Sequence, residues 1–368
     1  MTVPNLILVE RCPGETRYAL LAGNDLIEVA LVRDAEVQPG AVIAGRVTGL
    51  LGDVCFVDIG TGSPGVLRAK TRFTEGQSVA VTVIVPARAE KGAELKSADT
   101  PIPDGAKIPS LLQAAPDIAA TWWNRYRDTV TQIICTPVSE HRRVQALLGT
   151  AVTAEHGAAT LFDDFGVEEF MEAALDRTIE LPSGGSIAIE ATAGAIVVDV
   201  DSGAGTPEAA NAEAIMAVAR ALRLRNLAGH MLIDIIPPPG KRSVIRAAAQ
   251  LLADRLAALV AADPIPTDIA GITPLGMIEL TRKRVGLSLP EHLGGKHGAA
   301  TMAYDALRRA VRTAIREKAA RISLDAPPDV AALLRGKLKA ALMEAMAQSK
   351  ADIMVSERPG TAVDVVPF

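Results

Sequence analysis

The chain has 368 residues, with 38 Lys plus Arg against 43 Asp plus Glu, a formal net charge of −5, so it is not a uniformly basic nucleic-acid coat protein. Hydrophobic residues make up 49% and aromatic residues only 3%, which excludes wholesale disorder and requires a core of Ala, Val, Leu and Ile. Cys12, Cys55 and Cys135 form no close pair, which argues against a disulfide scaffold or a zinc ribbon; with no apolar run of membrane-spanning length and no secretory pattern at the start, the expectation is a cytoplasmic protein with no membrane partner.

Residues 1–37 alternate apolar and polar in NLILVE, RYALLAG and LIEVALV, broken by Pro13-Gly14 and Gly23-Asn24, and predict a small antiparallel meander. AVIAGRVTGLL, DVCFVDIGTGSPGVLRA and SVAVTVIVP then predict some five short strands of a small barrel, with Gly40, Gly45, Gly49, Gly52, Gly60, Gly62 and Gly65 at turns and bulges. Residues 97–120 hold Pro101, Pro103, Pro109 and Pro116 and read as a linker or flattened loop. Between 121 and 180 the pattern is mixed, with a strand at TQIICTP and a helix at EEFMEAALDR, followed by strands in LPSGGSIAIEATAGAIVVDVDSG. A helix is predicted over 206–229, with Thr206 as cap, Pro207 in the first turn and Glu208 favourable to the dipole. The apolar strand HMLIDII and a helix at about 241–261 follow, the latter with Ile245, Ala248, Leu252, Leu256 and Leu259 on one stripe. From residue 300 the pattern predicts two helices and then two short strands, around DIMVSE and AVDVV.

Two strands carry the chemistry. Alternation in GAIVVDVDSG places Asp199 and Asp201 on one face and Val198 and Val200 on the other. Like charges two residues apart on a strand sit about 7 Å from each other and repel, so they call for solvent or a cation. Asp234 lies within the apolar strand MLIDII. The helix between these strands is of crossover length, and parallel strands would bring Asp199 and Asp234 to equivalent carboxyl ends, where ligands bind in open α/β sheets. Convergent carboxylates suit Mg²⁺ or Mn²⁺ and water-driven attack on phosphorus. Asp201-Ser202-Gly203 reads equally as a plain turn; Asp234, inside a strongly apolar strand, is harder to dismiss, its alternative being a partner arginine on the adjacent helix.

These residues and their neighbours resemble the ribonuclease E/G family of bacterial RNA-processing endonucleases. The resemblance runs in order through GETRYALLAGNDLIEVAL, GAVIAGRVTGLLGDVCFVDIGTGSPGVL, LPSGGSIAIEAT with AIVVDVDSGAGT, NAEAIMAVARALRLRNLAGHMLIDII and ITPLGMIELTRKRVGLSL. It implies a multi-domain α+β and α/β architecture: a ribonuclease H-like subdomain (1–37 plus about 150–190) with an inserted OB-fold, S1-like barrel (38–96); a linker and reduced 5′-sensor-like region (97–149); a DNase I-like catalytic metal-binding domain (191–290); and a small α+β C-terminal domain (291–368). By position, Asp199 and Asp234 match the family's magnesium-ligating aspartates, and Asp201 stands where an asparagine that orients the first is usual, so the resemblance implies a catalytic set of Asp199, Asp234 and Asp201 in which the added carboxylate tunes or extends the metal site. Phe56 matches a base-stacking aromatic and Lys91 a phosphate-contacting lysine, while Arg282 and Arg284, from TRKRVG, are expected to hold RNA beside the catalytic domain. The basic run Arg308, Arg309, Arg312, Arg316 and Lys318 reads as a solvated helix face.

There are departures from the family pattern. Val66 replaces a second stacking phenylalanine, Ala193 a glutamate and Pro237 an acidic residue, and the Arg-Thr pair of the 5′-sensor is not found. LGGKHGAAT lacks the zinc-sharing cysteine, so no zinc-linked tetramer is expected, and His292 and His297 read as surface residues, leaving a homodimer or monomer. The function implied is a Mg²⁺-dependent endoribonuclease for single-stranded RNA that leaves 5′-phosphate and 3′-hydroxyl ends. The alternative is a catalytically degenerate RNA-binding relative.

Overall fold

Alternation at the N terminus folds into β1 (Leu6–Cys12), β2 (Glu15–Ala22) and β3 (Asp25–Arg33), an antiparallel meander. The computed structural model describes residues 3–68, 73–88, 91–149, 154–156, 160–295 and 298–368. They fall into two units, Thr2–Glu168 with Glu291–Phe368, and Glu169–Pro290. Among the described residues no helix is long and apolar enough to cross a membrane.

After β3 the chain builds the expected barrel from β4 (Val42–Leu51), β5 (Val54–Asp58), β6 (Gly65–Arg68), β7 (Ser78–Val85) and β8 (Glu94–Ser97). Pairing runs β4-β5-β6-β8-β7 and back to β4, which closes the ring, and β9 (Ser110–Gln113) adds to β4. Val79, Val81 and Val83, alternate residues of β7, point inward with Ile43, Val47, Val57 and Leu67. A Cβ on Gly45 would lie 2.5 Å from Val57 Cγ1 and 2.9 Å from the Asp58 carbonyl oxygen, so only glycine lets β4 and β5 approach here.

The chain then returns to the first sheet through α1 (Ile118–Arg125), β10 (Gln132–Thr136), α2 (Val138–Leu148) and β11 (Ala154–His156). β10 runs parallel to β1 and β11 parallel to β10, giving the order β11-β10-β1-β2-β3. The strand expected at TQIICTP is β10, and it joins the meander's own sheet, with α1 and α2 packed on that sheet, in a stretch otherwise expected to be a linker and reduced 5′-sensor-like region. A parallel partner more than a hundred residues away leaves no local trace, because its pairing needs a crossover rather than a turn. Ala119, Trp122 and Val144 pack with Ile7, Val9, Tyr18 and Leu20 on one face of this sheet. The short helices α3 (Leu161–Asp164) and α4 (Val167–Ala173) follow.

The unit Glu169–Pro290 contains β12 (Thr178–Glu180), β13 (Ser186–Ala191), β14 (Ile196–Asp201), α5 (Pro207–Leu224), β15 (Gly229–Asp234), α6 (Arg242–Val260), β16 (Thr267–Ile272) and β17 (Ile278–Arg282). Its sheet has the order β12-β13-β14-β15-β17-β16, with β14 and β15 parallel and the other neighbours antiparallel. Residues 178–190 thus belong here and not with 1–37, because β12 and β13 form a hairpin whose second strand pairs along the whole of β14. The inward residues Val198, Val200, Met231, Ile233, Ile278 and Leu280 pack against Ala214, Ile215, Val218 and Leu222 of α5 and Ala249, Ala253 and Leu256 of α6.

After α7 (Leu289–Leu293), the C-terminal segment contains α8 (Ala299–Glu317), β18 (Arg321–Ala326), α9 (Pro328–Arg335), α10 (Lys339–Ser349), β19 (Asp352–Glu357) and β20 (Asp364–Pro367). A central strand, β18, and a third helix were not expected from the sequence. β18 lies between β19 and β20 and shares a core with the three long helices. The face of the first sheet opposite α1 and α2 carries buried Glu10, Glu15, Arg17 and Arg33. Arg308 of α8 pairs with Glu15 at 2.9 Å and Arg312 with Glu10 at 3.4 Å. The arginine run is therefore partly a docking face and not simply solvated.

Candidate metal centre and nucleic-acid interface

β14 alternates as expected: Ile196, Val198 and Val200 are buried, while Asp199 and Asp201 are exposed. β15 follows the same rule, with Met231 and Ile233 inward and Asp234 exposed at its last residue. In the parallel pairing, Asp199 lies directly opposite Asp234. Neighbouring strands lie about 4.8 Å apart, so the two carboxylates project side by side from the carboxyl ends of the parallel pair. No arginine pairs with Asp234 among the described residues, and its exposure removes the desolvation cost that an apolar strand would otherwise impose.

Asp201 does something different. Its Oδ1 accepts the Gly203 N–H at 2.8 Å, closing a turn on itself. Gly203 has φ +50°, and a Cβ there would lie 2.2 Å from the Gly184 carbonyl oxygen, so the turn is pressed against the β12–β13 loop. One Asp201 oxygen is thus committed to shaping the exit from β14, which is the plain-turn role read beside the catalytic one.

Two residues at the start of α5 that the sequence reading passed over hold this region together. Asn211, buried at 8% exposure, donates from Nδ2 to the Ile236 carbonyl at 2.8 Å and accepts the Ile236 N–H at Oδ1 at 3.0 Å. Glu213 accepts the Ser183 N–H at 2.9 Å and its hydroxyl at 2.8 Å. The signal for Asn211 was available: it continues the stripe Ala214, Ile215, Val218 and Leu222, and a polar group on a buried stripe needs a partner.

Donor chemistry tests the fit of a cation. Two adjacent exposed carboxylates offer only hard oxygen ligands, which suits Mg²⁺ or Mn²⁺ with water filling the remaining positions, and does not suit zinc. No group of three or more His, Cys, Asp or Glu side chains is placed to hold a metal among the described residues. His292, expected at the surface, lies 3.4 Å from Glu36 at 17% side-chain exposure; His297 lies outside the described residues. Burial opposes the Glu36 charge, but His292 and Arg33 outweigh it and hold the carboxyl below its usual range.

The expected RNA contacts divide. Phe56 is half-buried on the outer side of β5, between Gly49 of β4 and Val66 of β6. Lys91 is exposed and bridged through its backbone to Arg88. Arg282 is a correction: its side chain is 1% exposed, pairs with Asp263 at 2.9 Å and donates to the Leu227 carbonyl at 2.8 Å. The alternation of β17 turns it inward, and a guanidinium held this way is not open to RNA. Arg284, half-buried beyond the end of β17, donates to the Ala228 carbonyl at 3.3 Å.

The model of the ribonuclease E/G family matches residues 93–285. That stretch contains Asp199, Asp201, Asp234, Arg282 and Arg284 and stops short of Phe56 and Lys91. The chain is 34% identical over 209 residues to ribonuclease G of Salmonella typhimurium, an alignment covering 51% of this chain and 41% of the relative. Ribonuclease G of Escherichia coli K12 is 33% identical over 209 residues, with the same 51% and 41% shares. Ribonuclease E of a Nostoc species is 30% identical over 207 residues, covering 51% of this chain and 29% of the relative. The chain thus matches less than half the length of these curated relatives.

Proposed function

This chain belongs to the ribonuclease E/G family, and from that premise we propose that it is an endoribonuclease cutting single-stranded RNA with Mg²⁺ or Mn²⁺ held by Asp199 and Asp234. The observation that carries this reading is the register pairing of those two exposed carboxylates at the carboxyl ends of parallel strands. The cation supplies Lewis acidity toward a phosphodiester and activates water at neutral pH. Asp199 and Asp234 hold it by charge, and Asp201 shapes the turn beside them. Phe56 stacks on an unpaired base, and Lys91 and Arg284 offer positive charge to phosphates, so binding weakens as salt rises. Attack by water that expels the 3′-oxygen leaves 3′-hydroxyl and 5′-phosphate ends.

The same proposal covers the architecture. The sheet order β3-β2-β1-β10-β11, with the barrel inserted between β3 and β10, supports a ribonuclease H-like subdomain. The ring order of the barrel supports an S1-like OB-fold, and Glu169–Pro290 is read as the DNase I-like catalytic unit.

The test is cleavage of a fluorescent single-stranded RNA, with and without Mg²⁺, by the parent, Asp199→Asn and Asp234→Asn. Metal polarisation contributes several kcal/mol to such reactions, so each variant is expected to lose activity by about a hundredfold or more. Rates equal to the parent's would refute the site. A parent that binds RNA in a salt-dependent way yet never cuts it would identify the binding-only relative instead.

A further inference from the structure

Asp234 is the last residue of β15, and its strand pairings end there: Asp199 is its partner on β14, and on the β17 side pairing stops one residue earlier, at Ile233. Beyond it come Ile235, Ile236 and then Pro237, Pro238 and Pro239. Proline has no N–H, so the three prolines give the chain no donor with which to anchor itself. The Ile236 N–H is the last donor before that run. It is bonded, together with the Ile236 carbonyl, to the single carboxamide of Asn211, at 3.0 and 2.8 Å. An asparagine side chain here does what a neighbouring strand does for a sheet residue: it satisfies both backbone groups of one residue. Asn211 stands in the first turns of α5, the helix entered from the other metal-binding strand through the Asp201 turn. The clamp therefore joins the exits of the two strands whose carboxylates must converge.

We propose that Asn211 is a positioning residue for Asp234, fixing the backbone two residues downstream so that the Asp234 carboxylate stays beside that of Asp199. This inference rests on the reading of Asp199 and Asp234 as the cation site. It adds a member to that site which does not touch the cation and which the sequence reading did not single out.

The experiment is Mn²⁺ binding to the full chain, followed by electron paramagnetic resonance of free Mn²⁺, for the parent, Asp234→Asn, Asn211→Ala and Val218→Ala. Val218 lies on the same buried stripe seven residues further on and serves as a packing control. Hydrogen exchange at the Ile236 amide is read in parallel. Loss of an outer-shell partner typically weakens metal binding about 10- to 100-fold. The expected result is a loss of that size in Asn211→Ala, the parent's affinity in Val218→Ala, and an Ile236 amide that loses protection in the first variant only. Asn211→Ser, too short to bond both Ile236 groups, makes the same comparison should Asn211→Ala fail to fold. Parent-like Mn²⁺ affinity in the Asn211 variant alongside weakened binding in Asp234→Asn would overturn the positioning role alone. An equal loss in Val218→Ala would overturn it as well, reducing Asn211 to general packing. Parent-like binding in Asp234→Asn would bring down the cation site, and this inference with it.

Discussion

Phe56 and Val66 are cross-strand partners on β5 and β6, so a ring at position 66 would stand next to the one already present. Base stacking on an aromatic side chain is worth about 1–3 kcal/mol per base. Phe56→Ala is expected to weaken binding of an unstructured RNA by that amount, and Val66→Phe to strengthen it. Fluorescence anisotropy at fixed salt measures both, and unchanged affinity in both variants would remove this face of the barrel from the RNA interface. Strand periodicity alone left the side of Phe56 open, since it locates two faces without saying which is the core. Arg282 shows the opposite problem. Its charge and its neighbours suggested a phosphate contact, but the counter-charge that claims it is Asp263, nineteen residues upstream in the loop before β16. Charge is legible residue by residue, whereas the partner that neutralises it is not.

At the scale of elements, α8 is fastened to the β1–β3 meander by buried ion pairs. Glu15 lies between Arg33, at 2.9 Å, and Arg308, also at 2.9 Å. Burial opposes its charge, but Arg308, Arg33 and Arg17 outweigh it and hold the carboxyl below its usual range. A carboxylate depressed in the folded state stabilises the fold above its unfolded pKa, and that contribution is lost as pH falls through the folded value. Glu15→Gln leaves two buried guanidinium groups short of a counter-charge, and is expected to lower unfolding stability by about 3–5 kcal/mol at neutral pH. The difference should shrink as pH falls below the ordinary glutamate range, where the unfolded chain takes up the proton first, and close only as the folded carboxyl itself protonates at lower pH. Urea denaturation at several pH values checks this, and a gap that persists in acid would contradict it. Glu10 has the reverse sign: burial pushes its carboxyl up despite Arg17 and Arg312, so its protonated form favours the fold at low pH and that gain disappears as pH rises. The amphipathic pattern of α8 was readable as a helix, but its arginines read as solvated because their partners lie some 300 residues away on β1 and β2.

Across the whole molecule, the three cysteines report on integrity. Burial, with Glu10 nearby, pushes the Cys12 thiol up to about 12, and burial, with Glu140, does the same to Cys135. Cys55 is buried in the barrel core. The native protein at pH 8 should therefore react negligibly with Ellman's reagent and yield three thiols in denaturant. Rapid native labelling would show that one of these cores opens. The scarcity of aromatics did foretell small aliphatic and alanine-rich cores, because core composition follows directly from what the chain contains. The sequence by itself determined the alternation of β14 and β15, the helix between them, the outward Asp199 and Asp234, and the barrel strands, since each follows from a period of two or 3.6 and from local turn chemistry. Only the tertiary structure decided that β10 joins β1, that β12 and β13 join the sheet of the aspartates, that Arg282 is spent on Asp263, and that Asn211 clamps Ile236. Each of these depends on a partner distant in sequence, and the free energy of such a contact resides in the pair, so neither local segment carries a mark of it.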